Sequence, residues 1–255
     1  MTRPLAVITG ASAGIGHELA QVIAADGHDL MLVARREAEL EVLAKDLESR
    51  HGVTAQACPA DLTTAAGIDA VVEAVGDRDV AVLVNNAGFG LGGVFAEQDQ
   101  AVVRQMIDLN IAALTALTAA FLPGMLRRRT GRVLNLASTA AFQPGPLMAV
   151  YYASKAYVLS FSEALAEECA GTGVTVTALC PGYTPTEFHT VAGTTGVSLR
   201  GMPSPDTAAV ARAGWKGTKR GRRLVIPGIA NKVGVQSLRF SPRRVVTKVV
   251  RRLQT

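Results

Sequence analysis

Tyr151 and Lys155 stand four residues apart in Tyr151-Tyr-Ala-Ser-Lys155, a stretch with helical spacing. Side chains at i and i+4 share a helix face, so the Lys155 ammonium meets the Tyr151 phenol, while the adjacent Tyr152 meets Ala156. An unperturbed phenol titrates near pH ~10 and is a poor base at neutral pH. A neighbouring cation favours the phenolate, which makes the pair a candidate general acid and base. Taken alone, a tyrosine and lysine at this spacing also simply pack and snorkel.

A second chemical feature lies near the start of the chain. The apolar run Leu5–Ile8 leads into Thr9-Gly10-Ala11-Ser12-Ala13-Gly14-Ile15-Gly16, and a helix-period stretch follows directly. Glycine lets a backbone turn sharply and approach a pyrophosphate without a Cβ in the way, and the helix start offers unpaired N–H groups and a positive dipole end. The bland alternative is a tight strand-to-helix turn with no ligand, but this placement is the one a phosphate cradle needs.

The elements that must position these residues alternate along the chain. Apolar runs occur at Leu5–Ile8, Asp29–Val33, Thr54–Cys58, Val80–Val84, Arg132–Leu136, Val174–Leu179 and Arg223–Ile226. Helical patterns fall between them at Ile15–Ala25, Glu37–Arg50, Thr64–Val75, Gln98–Asp108, Ile111–Arg127 and Tyr152–Ala170. Runs apolar throughout, joined by helices, predict a parallel sheet covered on both faces. With right-handed crossovers the expected fold is α/β, a doubly wound, Rossmann-like, seven-stranded parallel sheet in a single domain. It should span residues 1–227, with 228–255 a basic amphipathic C-terminal extension.

Composition narrows the function classes. Of 255 residues, 49 % are hydrophobic and 18 % charged, enough to bury a large core and too apolar for disorder. Cys58, Cys169 and Cys180 form no C-x-x-C, which argues against a disulfide framework and for a reducing, cytoplasmic setting. The four histidines are scattered without ligand spacing, so no metal site is expected. Met1–Pro4 and the few apolar residues after it are too short for a leader, and Leu109–Leu126, interrupted by Asn110, Thr115, Thr118, Pro123 and Gly124, reads as a core helix. Charge is uneven: residues 1–211 carry 13 Lys/Arg and all 21 Asp/Glu, whereas 212–255 carry the other 13 Lys/Arg and no acid.

Further residues fall into step with these features. Asn85-Asn86-Ala87-Gly88 follows the fourth strand, Asp61-Leu62 the third, and Ser138 lies thirteen positions before Tyr151. Together with Asn110, Pro181-Gly182, Thr184 and Thr186, the set resembles the short-chain dehydrogenase/reductase family, in order from residue 5 to about 227. The resemblance implies a nicotinamide cofactor held by Thr9, Gly10, Ser12, Gly14, Ile15, Gly16, Asp61, Leu62, Asn85, Asn86, Ala87, Gly88, Tyr151, Lys155, Pro181, Gly182, Thr184 and Thr186. It implies a catalytic set in which Ser138 donates to the substrate oxygen, Tyr151 moves the proton, Lys155 also holds the ribose, and Asn110 orients a water for proton relay. A homodimer or tetramer is the usual assembly.

The second strand ends Val33-Ala34-Arg35-Arg36 with no acid to receive a ribose diol, and Arg35 lies 19 residues beyond Gly16. A guanidinium there suits a 2′-phosphate, so NADP (NADPH) is expected over NAD. Ala140, Ala141, Phe142, Pro144, Leu147 and Met148 flank Ser138, and Phe188, Val191, Val197, Leu199 and Met202 follow Pro181-Gly182, with Arg200 at the rim. That composition suits an apolar ketone, aldehyde or alcohol.

The expected function is therefore NADP(H)-dependent interconversion of a carbonyl and an alcohol. Its rivals are a catalytically silent NADP-binding sensor or interaction protein and a 3-oxoacyl-carrier-protein reductase. The last would want a basic docking patch such as Arg127-Arg-Arg129. In the tail, Pro242–Leu253 places Val245, Val246, Val249, Val250 and Leu253 on one face with arginines elsewhere. That face could meet an anionic membrane peripherally, the protein body, or a second subunit. Nucleic acid is disfavoured, because only Phe240 interleaves the charges.

Overall fold

The computed structural model describes residues 3–184 and 206–254. Its seven strands are β1 (Leu5–Thr9), β2 (Asp29–Ala34), β3 (Ala55–Pro59), β4 (Val80–Asn85), β5 (Gly131–Leu136), β6 (Val174–Leu179) and β7 (Leu224–Val225). They pair in parallel in the order β3-β2-β1-β4-β5-β6-β7. Consecutive residues of β1 point to opposite faces, and both faces are apolar: Ala6 and Ile8 join one core cluster, Leu5 and Val7 the other. Such a strand must be covered twice.

Helices α1 (Gly14–Ala24) and α2 (Glu37–His51) cover the first face with Leu19, Ile23, Leu40, Leu43 and Leu47. A further helix, Thr207–Lys219, adds Val210 and Trp215. The second face carries α3 (Ala65–Val75), α4 (Gln100–Ile107), α5 (Leu114–Arg128) and α6 (Ala149–Glu168). Val71, Leu117, Phe121, Met125 and Ala166 are their inward residues. Thr207–Lys219 is α7, followed after β7 by α8 (Ile229–Leu238) and α9 (Arg243–Gln254).

The sheet matches the expected fold, with two differences in the helices. The two patterns expected at 98–108 and 111–127 are one continuous helix, because a π-helical segment, Asp108–Ala113, joins α4 to α5. An inserted residue of this kind re-aims a side chain without ending the helix. Helices α7 and α8 were not anticipated; glycines at 214, 217 and 234 dilute their apolar periodicity. The continuous helix 100–128 is long and apolar enough to cross a membrane by composition. Here Leu117, Phe121 and Met125 of α5 pack on the sheet, while Val103 and Met106 are buried in α4, which packs against α6.

Between β1 and β4 the strand order reverses. Connections from the two sides diverge there and leave a crevice at the carboxyl ends of the strands. The glycine turn, the β4 end and the β5 end all open onto it.

Candidate active site

The turn after β1 is held from below. Gly10 adopts φ +67°, a left-handed conformation open to glycine, and its N–H donates to Val33 O at 2.8 Å. A Cβ on Gly16 would run into the Gly10 carbonyl and the Asn86 amide, so glycine there lets α1 start hard against the turn. Asn86 Nδ2 donates to the carbonyls of Thr9 and Gly10 at 2.9 and 3.1 Å. Thr9 Oγ1 donates to Val84 O at 3.2 Å and accepts the N–H groups of Asn86 and Ala87 at 3.0 Å each.

Two of the expected cofactor residues turn their side chains into the protein. Thr9 is buried and its hydroxyl is committed to clamping β1 to β4. Asn85 also faces inward, donating to Thr118 Oγ1 at 3.0 Å and Asn135 Oδ1 at 2.9 Å. Being the last residue of β4, it follows the strand alternation into the core and does not join the turn beyond. Its Oδ1 finds no protein partner among the described residues and borders a cavity of about 10 Å³. Asn86 acts on the turn from the side, leaving Ala87 and the exposed Gly88 to line the crevice.

The residues present fit a dinucleotide. Helix α1 starts after Ala13, which offers no side-chain cap, and its first turn holds no acid, so the N–H groups that α3 satisfies with Thr64 stay available. Ser12, Gly14 and Ile15 frame this end; Gly14 opens the helix and Ile15 leans on the core. At the rim Arg36 donates to Ser12 Oγ at 3.2 Å and to Ser12 O at 3.3 Å, and pairs with Glu39 at 3.6 Å. Arg35 is exposed beside it and helps hold the Asp61 carboxyl below its ordinary range, after the larger effect of hydrogen bonds from Thr63. The sequence singled out Arg35; the structure adds Arg36, which faces the glycine turn directly. Asp61 is exposed with its carboxylate already accepting from Thr63, while Leu62 is buried.

On the other side of the crevice, β5 delivers Ser138 and α6 delivers Tyr151 and Lys155. Ser138 Oγ accepts the Ala140 N–H at 3.1 Å, lies 3.5 Å from Pro181 O, and hydrogen-bonds the Tyr151 hydroxyl. Lys155 Nζ donates to Leu136 O at 2.7 Å and lies 5.8 Å from the Tyr151 ring centre. Gly88 closes the same space, since a Cβ there would stand 3.6 Å from Lys155 Nζ. Burial pushes the Lys155 amine down to about 8. It pushes the Tyr151 phenol well up, against a smaller lowering by the Ser138 bond. In the free protein desolvation sets the direction of the shift at Tyr151.

Asn110 sits in a hydrogen-bonded junction between the loop after β4 and α6. Its Oδ1 accepts the Phe89 N–H at 3.1 Å and its Nδ2 donates to Phe89 O at 2.9 Å and Ser154 Oγ at 3.1 Å. The π-helical segment aims this buried amide at the loop after β4, so both Nδ2 donors and one Oδ1 lone pair are used to fix Phe89 and α6.

Pro181 accepts the Thr139 N–H at 2.9 Å, behind Ser138. Gly182 lies against the Asn231 amide of α8, and Thr184, buried, donates to Gly182 O at 3.2 Å. Thr186, Phe188, Val191, Val197, Leu199, Arg200 and Met202 lie outside the described residues. Leu147, read from the sequence only as an apolar neighbour of Ser138, is held at φ +65° with its carbonyl accepting from Gly93 N–H at 2.8 Å. A bulky side chain in that region costs ~1–2 kcal/mol, and it tightens the entry to α6 just ahead of Tyr151. Sequence reasoning missed Gln254, whose amide donates to the Tyr152 hydroxyl at 2.8 Å. No local pattern marks it.

Arg127–Arg129 sit at the opposite end of the sheet. Arg128 pairs with Asp79 at 2.7 Å and donates to Val80 O, and Arg129 donates to Gly171 O. They brace the start of β4 and the loop before β6, far from the crevice mouth.

The short chain dehydrogenase family profile matches residues 4–195. A Streptomyces virginiae protein assigned as the ketoacyl reductase of the monensin polyketide synthase is 41 % identical over 189 residues, 72 % of each chain. The human inactive hydroxysteroid dehydrogenase-like protein 1 is 35 % identical over 186 residues, 72 % of this chain and 56 % of that one. A short-chain dehydrogenase from Sphingobium yanoikuyae in complex with NADPH superposes with TM-score 0.83 at 34 % identity, covering 94 % of this chain and 97 % of the other. A Burkholderia phymatum short-chain dehydrogenase/reductase in complex with NAD gives 0.81 at 25 % identity, over 92 % of both.

Proposed function

The chain belongs to the short chain dehydrogenase family, and from that premise we propose that it is an NADP(H)-dependent oxidoreductase interconverting a carbonyl and an alcohol on an apolar substrate. One observation carries the reading: the Ser138–Tyr151 hydrogen bond with buried Lys155 one helical turn on, all facing an uncapped, glycine-framed helix start. The nicotinamide nucleotide supplies or accepts the hydride when bound. Gly10, Gly14 and Gly16 with the α1 N–H groups would hold its pyrophosphate, and Arg36, Ser12 and Arg35 a 2′-phosphate. The last assignment makes NADP the preferred nucleotide.

The chain's own part is proton chemistry. Desolvation keeps Tyr151 protonated, the form a general acid needs for carbonyl reduction. Ser138 holds the substrate oxygen and stabilises charge developing on it. Tyr151 delivers its proton to that oxygen and is left as phenolate, a state the Lys155 ammonium favours. In the reverse direction the same phenolate removes the alcohol proton. Members of the family commonly assemble as dimers or tetramers, and we assign the same habit to this chain.

A 3-oxoacyl thioester is the second substrate class, favoured by the Streptomyces virginiae relative. The position of Arg127–Arg129 removes the basic patch that would have suited carrier-protein docking. A silent binding protein is the reading from another class, and the intact Ser138, Tyr151 and Lys155 geometry opposes it. Oxidation of NADPH by the purified chain, followed against ketones, aldehydes and 3-oxoacyl thioesters, tests all three. Turnover with any class that vanishes in Tyr151→Phe supports the enzyme. Nucleotide binding without turnover on every class overturns it.

A further inference from the structure

Helices α8 and α9 each turn one line of side chains to the body and leave a second apolar line in solvent. Val235 of α8 and Val246 and Val250 of α9 are buried. By contrast Ile229 and Phe240 are 80 % and 88 % exposed, and Val233, Val245, Val249 and Leu253 are exposed as well. These six are half of the exposed large hydrophobic side chains among the described residues. Their spacing makes stripes: 229 and 233 on α8, and 245, 249 and 253 on α9, each four residues apart. Around them Lys232, Arg239, Arg243, Arg244 and Lys248 are exposed. Residues 228–255 hold seven Lys/Arg and no acid, while residues 1–211 are net acidic.

We propose that helices α8 and α9 together form a docking surface for an anionic lipid bilayer. Apolar side chains flanked by cations suit the boundary between acyl chains and phosphate headgroups, where both kinds of group find partners at once. The competing occupant is a second copy of this chain. A symmetric contact would press this cationic, acid-free surface onto itself, and like charges facing each other oppose association. A bilayer with acidic lipid supplies the opposite charge. Each helix is also tied to the candidate site, α9 through Gln254 to Tyr152 and α8 through Asn231 against Gly182. Docking through these helices would bring the crevice close to the lipid surface, where apolar substrates collect.

Co-sedimentation of the full chain with vesicles tests this, comparing phosphatidylcholine alone with phosphatidylcholine mixed with phosphatidylglycerol. Binding to the mixed vesicles should exceed binding to neutral ones by at least about tenfold. It should fall away in ~1 M salt, where screening reaches about 3 Å. The triple change Arg243→Gln, Arg244→Gln, Lys248→Gln should weaken it about tenfold or more. The double change Ile229→Ser, Phe240→Ser should weaken it comparably, both variants melting as the parent does. No binding, equal binding to neutral and acidic vesicles, or variants that bind as the parent would each overturn the proposal. So would light scattering that shows Ile229→Ser, Phe240→Ser splitting a dimer while the parent ignores vesicles, for the surface would then belong to a second copy. Salt and lipid dependence of the unmodified chain decide the matter even if a variant fails to fold.

Discussion

The Gln254 side-chain amide donates to the Tyr152 hydroxyl at 2.8 Å, joining residues 102 positions apart. Tyr152 in turn packs edge-on against Tyr151, ring centres 6.0 Å apart, and Gly145 lies flat against its other side. The last turn of α9 thus braces the first turn of α6, where the proposed general acid sits. Replacing Gln254 with Ala should cost about 1 kcal/mol, a melting point lower by ~2–4 °C. It should also raise KM for bulky ketones more than it lowers kcat. An unchanged melting curve would show that the bond stabilises nothing.

The two tyrosines should separate cleanly in kinetics. Tyr151→Phe removes the transferable proton and should abolish turnover while nucleotide affinity stays within about twofold. Tyr152→Phe removes only the partner of Gln254 and should retain most of kcat. Near-parental rates in Tyr151→Phe would end the proton assignment.

Nucleotide choice should follow the rim of the glycine turn. Charge-assisted hydrogen bonds contribute ~1.5–3 kcal/mol each, so Arg35→Asp or Arg36→Ala should raise KM for NADPH about tenfold or more and leave NADH nearly unaffected. The ratio of kcat/KM for the two nucleotides is the readout. A ratio that does not move in either variant would contradict the 2′-phosphate assignment.

Lys155 titrates near 8 because burial disfavours its charge. Its ammonium is present below that value and is lost as pH rises through it. Reduction depends on that charge to accept a developing phenolate, so kcat/KM should decline above pH about 8, the quantity that reports the free protein. Stability moves the opposite way: the penalty for burying the ammonium is full below about 8 and gone above the ordinary lysine value near ~10.4, so the fold gains stability as pH rises between them. A flat kcat/KM profile up to pH 10 would argue against the dependence.

Asn110→Ala strands the Phe89 N–H and carbonyl, while the Ser154 hydroxyl keeps its bond to Tyr151 O. Leaving such groups unpaired costs about 2–3 kcal/mol, or ~5–10 °C in melting. Loss of turnover with no loss of stability would instead place Asn110 in the proton relay.

The architecture was legible in the chain because its cause is local. Runs apolar on both faces require a sheet covered twice, and helical patterns between them leave little topological choice. Glycines at 10, 14 and 16 and the i, i+4 spacing of Tyr151 and Lys155 likewise announce their geometry from neighbours in sequence. What sequence could not supply was decided by approach across the fold. Desolvation by surrounding elements reversed the shift expected at Tyr151, and strand alternation turned Asn85 into the core. A π-helical segment spent the Asn110 amide on Phe89. The tail divided its valines by partner, Val246 and Val250 meeting the body while Val245 and Val249 stay in water. Helical spacing reveals a stripe, but only the packed structure determines which part of it has already found a surface.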